Sequence, residues 1–273
     1  MKLVKAILKH IFTLPQIVVH RMRGIDTPYS QMVTFFRYFP FGKINKNKTV
    51  EIDYRKTAVK FYYGDLYPMA AGEFAAHDYD LLPVEGADVI DIGAAVGDTA
   101  VIFSLRGAKN VIGYELNKRF FEIAKINISL NKIEDKVSLN YCGIAAKKIS
   151  KNDEILGALI SGEDRNFVEE ADFKTFDEIT IAQNKSENLV LKIDVDGYEY
   201  EILRSASKNL INKYKYIAME YHFGKQDLIS ILEESGFEVT TKHITNVMID
   251  YHPSTYKSME IGLIYAKRIK NLN

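Results

Sequence analysis

The 273-residue chain has no tryptophan and a single cysteine, Cys142. One cysteine excludes an intramolecular disulfide and a cysteine-rich zinc site, and it fits a reducing compartment such as the cytoplasm. No apolar run reaches the roughly 18 uncharged residues that a membrane-crossing helix needs. An excess of charge is missing too: 36 Lys and Arg stand against 36 Asp and Glu. Net charge therefore gives no signal for a polyanionic partner such as a nucleic acid. What is plentiful is apolar surface. At 47% hydrophobic residues, the chain can bury the core of one large domain, or of one domain with an extension.

The opening segment differs from the rest. Residues 1–24 carry Lys2, Lys5, Lys9, Arg21 and Arg23, with no acid before Asp26. Leu3, Ile7, Leu8, Ile11 and Phe12 recur at helical spacing. This pattern suits a helical lid on the domain, a peripheral contact with a membrane surface, or a processed leader. Pro15, Pro28 and Pro40 keep any helix short. The aromatic cluster Thr34 to Phe41 packs on the domain or lines a substrate pocket. Residues 1–57 are accordingly expected to form an N-terminal helical extension.

From residue 58 to 273 strands and helices alternate. Strands are expected at 59–63, 89–92, 110–115, 137–142, 189–195, 216–221, 237–244 and 261–268. Helices are expected at 72–82, 98–106, 117–130, 176–181, 198–206 and 227–235. Such alternation predicts an α/β domain around a mostly parallel sheet, with helices on both faces and an antiparallel edge formed by the last strands.

The most specific local feature is Asp88 to Thr99, DVIDIGAAVGDT. It reads as a buried strand, a glycine turn and a helix start, the place where an open α/β sheet binds its cofactor. A dinucleotide fingerprint needs a second glycine where this chain has Ala95, whose methyl would obstruct a pyrophosphate. Asp91, two residues before Gly93, suits a cationic ligand better than a phosphate. S-adenosylmethionine (SAM), with its ammonium and sulfonium, fits this electrostatic pattern. Gly93, Ala94, Ala95, Gly97, Asp98 and Thr99 are the expected cofactor contacts, together with Asp91.

Ligands in such sheets lie beyond the carboxyl ends of the strands. The second strand ends at Glu115 and Leu116, roughly 20 residues after Gly93, where an acid reaches the two ribose hydroxyls of an adenosine. Asn140 ends the third strand near an expected adenine. The fourth supplies Asp194 and Asp196, with Glu199 one turn on; the fifth supplies Glu220 and His222. These acids and His222 could also converge on a divalent metal, although no metal is expected.

The segment Val89 to Ala100 resembles the first motif of class I SAM-dependent methyltransferases. Leu191 to Leu203, LKIDVDGYEYEIL, resembles the fourth-strand motif of the FkbM family within that class, and Met219 to His222 is similar to the family's fifth-strand segment. The family usually has Glu at Asp196, a small residue at Tyr198 and Asn at Ala95. The resemblance implies a Rossmann-like fold, expected here with seven strands, and O-methylation of a sugar or other small hydroxyl acceptor. His222, with an ordinary pKa near neutrality, is the first expected base and Asp194 the second. Glu199 and Glu220 are expected to bind acceptor hydroxyls. A nicotinamide-dependent oxidoreductase and a non-catalytic partner subunit remain as alternatives, the first disfavoured by Ala95 and Asp91. Acceptor choice is expected in the extension, in residues 150–170 and in the loop 246–258.

Overall fold

The computed structural model describes residues 14–24, 28–64, 76–146, 172–250 and 256–269. The expectations for residues 1–13 and for 150–170 lie outside these, as do residues 72–75 of the helix expected at 72–82. The described part of that last stretch, 76–82, is helical at Ala76 and otherwise made of turns.

The extension is only partly helical. Residues 14–22 are helical, and α1 spans Tyr29–Tyr38. Then β1 (Lys43–Ile44), β2 (Thr49–Tyr54) and β3 (Thr57–Tyr62) form a small antiparallel sheet. The boundary expected near residue 57 falls inside the β2–β3 hairpin, where Tyr54 pairs with Thr57. Val50, Ile52, Val59 and Phe61 are buried. They alternate with exposed positions, so this sheet has one covered face.

The main sheet follows in chain order: β4 (Asp88–Ile92), α2 (Asp98–Leu105), β5 (Asn110–Glu115), α3 (Lys118–Leu130), β6 (Val137–Ala145), β7 (Asp172–Thr175), α4 (Phe176–Ile181), β8 (Leu189–Ile193), α5 (Glu199–Ser205), α6 (Lys208–Ile211), β9 (Tyr214–Tyr221), α7 (Gln226–Glu234), β10 (Phe237–Asp250) and β11 (Tyr256–Arg268). Its order is β10-β11-β9-β8-β4-β5-β6-β7. All pairs from β9 to β7 are parallel, and β11 joins β9 and β10 antiparallel. The short edge strand β7 makes eight strands instead of seven. β10 and β11 run on to Asp250 and from Tyr256, so strand pairing replaces most of the loop expected at 246–258.

Strand periodicity sorts the core into two layers. Val89, Val111, Val190 and Ala218 point to one face, with α2, α3 and the extension. Ile90, Leu191, Ile217 and Met219 point to the other, with α4, α5 and α7. Parallel strands covered on both faces explain the near-continuous apolar runs of β4 and β8.

The register then fixes the site. Ile92 lies opposite Tyr114 on one side and Ile193 on the other, and Ile193 opposite Met219. One residue further along each strand, Glu115, Gly93, Asp194 and Glu220 form a row across β5, β4, β8 and β9. The chain runs out from β4 to β5 on one side and returns at β8 on the other, so this row crosses the topological switch of the sheet.

Candidate active site

Gly93 sits where only glycine fits. Its φ is +80°, and a Cβ there would lie 1.8 Å from the Asp194 carbonyl oxygen. The turn can thus lie flat against the end of β8. Gly97 also has φ +80° and approaches Ala124 of α3. Ala95 lies between them at φ +43°, in a region that L-residues enter at a cost of about 1 kcal/mol or more. A hydrogen bond from Ala95 N–H to Glu115 Oε2, at 2.7 Å, holds it there.

Glu115 fastens the turn to β5. Its other oxygen accepts from Asn117 N–H at 2.6 Å. Asn117 itself caps α3, accepting from the N–H groups of Arg119 and Phe120. Burial raises the Glu115 carboxyl to about 7, against the pull of these two N–H donors. Each oxygen keeps a lone pair for a further donor. A vicinal diol presented at the mouth of this turn, as in an adenosine ribose, matches that acceptor pair. Leu116 is half-buried beside it. Asn140 is tied to β5, its Nδ2 donating to Gly113 O at 3.2 Å.

Asp91 does not face the ligand side as expected. It is fully buried beneath the turn. Its Oδ2 accepts from Thr99 Oγ1 at 2.5 Å, and its Oδ1 lies 3.2 Å from Lys192 Nζ. Thr99 is therefore turned inward too. Burial pushes the Asp91 carboxyl up, while the Lys192 charge and the Thr99 hydroxyl oppose the rise. Lys192 is itself 1% exposed. It donates to Gly93 O at 2.5 Å and reaches Asp194 Oδ2 at 3.9 Å. The charge pair Asp91–Lys192 thus braces the turn from below, because a lone charge of either sign would be costly at that depth. Asp98 opens α2, where burial raises its carboxyl to about 6.

At the other end of the row, Asp194 is partly exposed and accepts from Tyr79 OH at 3.2 Å. Tyr79 belongs to the turn segment 77–82, which Arg106 pins by donating to the carbonyls of Tyr79, Asp80 and Leu82. Glu220 and His222 do point the same way: His222 Nε2 lies 3.7 Å from Glu220 Oε1. Asp196 Oδ1 is also 3.7 Å from Nε2, but the Asp196 side chain is otherwise exposed.

Two expectations change here. Glu199 is fully buried; its Oε1 meets His222 Nδ1 at 2.5 Å and its Oε2 accepts from Gly197 N–H at 2.7 Å. It holds the imidazole and the β8–α5 turn, so it is not placed for acceptor hydroxyls. His222 is biased toward its charged form. Burial alone would lower its pKa, but the Glu199 hydrogen bond and the charges of Glu199, Glu220 and Asp194 raise it to about 9. Glu220 is the partly exposed partner, its side chain 21% accessible. Burial and the Asp194 charge raise it to about 7 against the pull of His222. Among the described residues, no three His, Cys, Asp or Glu side chains are arranged to hold a metal ion.

Sequence reasoning missed three supports of the site. Lys192 was legible as a cation inside the apolar strand LVLKI. Tyr79 and Tyr200 carried no such signal. Tyr200 OH accepts from Phe223 N–H at 2.8 Å and donates to Gly224 O at 2.6 Å, fixing the turn that follows His222.

Residues 91–241 match the model of the Methyltransferase FkbM domain. Among curated proteins, ribosomal protein L11 methyltransferase of Anoxybacillus flavithermus is 28% identical over 87 residues, 32% of this chain. That alignment spans 28% of the relative's length. Among solved structures, a SAM-dependent methyltransferase from Agrobacterium tumefaciens is similar, with 10% identity, a TM-score of 0.47, and coverage of 82% of this chain and 71% of the other. TrmK of M. capricolum, in complex with S-adenosylhomocysteine, gives 12% identity, a TM-score of 0.45, and coverage of 71% and 67%.

Proposed function

Because the chain belongs to the FkbM methyltransferase family, whose cofactor is SAM, we propose that it transfers the SAM methyl group to a hydroxyl oxygen of a sugar or another small acceptor. The observation that carries this reading is the row of partly exposed carboxylates, Asp194 and Glu220, beside the cofactor turn. Carboxylates accept from hydroxyls, and an acid-lined mouth repels phosphate chains. That charge, with the neutral net charge, favours a small-molecule or glycan acceptor over nucleic acid.

Bound SAM supplies an electrophilic methyl group on a sulfonium. The protein's part is to align the acceptor and take its proton. Glu115 and the backbone of Gly93 to Gly97 hold the cofactor, and Asp194 and Glu220 orient the acceptor oxygen. With SAM bound to supply the methyl group, Glu220 would take the O–H proton that the acceptor gives up on methylation. Asp194, tied to Tyr79 and Lys192, stays an orienting group. His222, held by Glu199, keeps Glu220 in place and supports its charge.

The test is calorimetric titration with SAM, then a methyl-transfer assay over a panel of hydroxylated small molecules, with RNA as a comparison. Glu220→Gln should lower kcat roughly 100-fold or more while SAM affinity stays within about twofold. The pH profile of kcat/KM should rise through about 7 as Glu220 loses its proton, and fall above about 9 as His222 does. Unaltered turnover in Glu220→Gln removes it as the base, and transfer to RNA alone overturns the acceptor class.

A further inference from the structure

The helical residues 14–22 carry an unusual distribution of side chains. The helix rests on the domain through Ile17 and His20, both buried. His20 Nε2 accepts from Ile44 N–H at 3.2 Å, and Gln16 Nε2 donates to Pro40 O at 3.1 Å. At about 100° per residue, the side facing away from Ile17 and His20 holds Val18, Val19 and Met22, with Leu14 on its flank. All four are exposed, Val18 at 54% and Met22 at 83%. Phe41, next to the Pro40 that Gln16 holds, is 93% exposed. A stable amphipathic helix would turn such residues inward; here both sides are apolar.

Cations border this outer face. Met22 and Arg23 open onto a cleft of about 490 Å³ whose remaining walls are Ile44, Asn45 and Lys46. Lys46 Nζ comes close to the helix end, within 3.6 Å of where a Cβ on Gly24 would stand. No acid precedes Asp26 in the chain, while Lys2, Lys5 and Lys9 add charge of the same sign.

We propose that the outer face of residues 14–22, with the Arg23–Lys46 cleft, docks on an anionic lipid bilayer. The apolar side chains would enter the acyl boundary and the two cations would meet lipid phosphates. A second copy of the chain is the weaker occupant: a two-fold contact through this face would bring Arg23 and Lys46 near their own symmetry mates. The proposal does not depend on the identity of the methyl acceptor.

Co-sedimentation of the full chain with vesicles tests it. At low salt, vesicles of phosphatidylcholine with 30% phosphatidylserine (about that fraction suffices for a negative surface) should retain roughly tenfold more protein than phosphatidylcholine alone, and 0.5 M salt should abolish most of the difference, since the Debye length then falls to roughly 4 Å. Val18→Glu with Met22→Glu should remove binding, and Arg23→Glu with Lys46→Glu should remove the preference for anionic lipid. Circular dichroism and SAM affinity should be unchanged in both variants, since all four positions are exposed. Absence of binding to anionic vesicles, equal binding to both vesicle types, or full binding by Val18→Glu with Met22→Glu overturns the proposal. So does a dimer in sedimentation velocity that this variant converts to monomer, which would assign the face to a second copy.

Discussion

Glu115 accepts two backbone N–H groups and still sits at the mouth of the cofactor turn, with its carboxyl raised to about 7 by burial. Hydroxyl donors stabilise the charged form, so a bound ribose should lower that value. SAM and S-adenosylhomocysteine should then bind more tightly as pH rises from 6 to 8, and binding at pH 6.5 should release a proton. Calorimetry in two buffers of different ionisation enthalpy reads this directly. Glu115→Gln should weaken affinity roughly 10- to 100-fold and flatten the pH dependence. An affinity that is constant across this range in the wild-type protein would remove Glu115 from the ribose. Residue identity alone expected Glu115 and Asp194 at strand ends, and the structure has them there. It gave no sign that Asp91, Glu199 and His222 are buried against partners distant in the chain. Asp91 meets Lys192, and His222 meets Glu199, only after the strands have been brought into register.

At the scale of elements, α3 joins the small sheet to the cofactor turn. Asn127 is fully buried; its Oδ1 accepts from Tyr62 N–H of β3 at 2.6 Å, and its Nδ2 donates to Val96 O at 2.8 Å. One turn on, Asn131 exchanges a similar pair of bonds with the Lys60 backbone. These two side chains do for the edge of β3 what a neighbouring strand would do, which satisfies its backbone and closes the edge. Asn127→Ala should therefore cost about 2–4 kcal/mol by denaturant unfolding, because two buried backbone groups lose their partner. Hydrogen exchange at the Tyr62 amide should accelerate, and SAM affinity should fall with the loosened turn. Asn131→Ala, at a more exposed position, should cost less. Equal costs for the two would show that burial of Asn127 is not what matters. Most helices and parallel strands of the main sheet were readable from periodicity and caps, α3 among them with its Asn117 cap, but β7 and α6 were not. Of the small sheet only β3 was readable, as the strand expected at 59–63; β1 and β2 were not, because they lie among lysines and asparagines that mask the two-residue alternation.

At the scale of the whole molecule, the extension is not a separate body. Ile17, Met32, Phe35, Phe61 and Val59 belong to the same buried cluster as Val89, Phe103 and Ile123 of the sheet layer. Residues 14–64 and the sheet should thus unfold together. Far-UV circular dichroism and tyrosine fluorescence should give coincident denaturation curves, with one transition. An earlier transition confined to the extension, seen by limited proteolysis below residue 64, would contradict this. Charge is likewise balanced overall but not locally: acids gather at the ends of β8 and β9, and cations about the helical residues 14–22. The sequence by itself determined the order of strands and helices, the cofactor turn and the acids that end the strands, because propensity, capping and periodicity depend on neighbours along the chain. Only the tertiary structure decided which charges are buried together, which proton His222 keeps, and that an apolar helix face looks outward. Burial and electrostatics depend on distances in space, and those are set by register and packing.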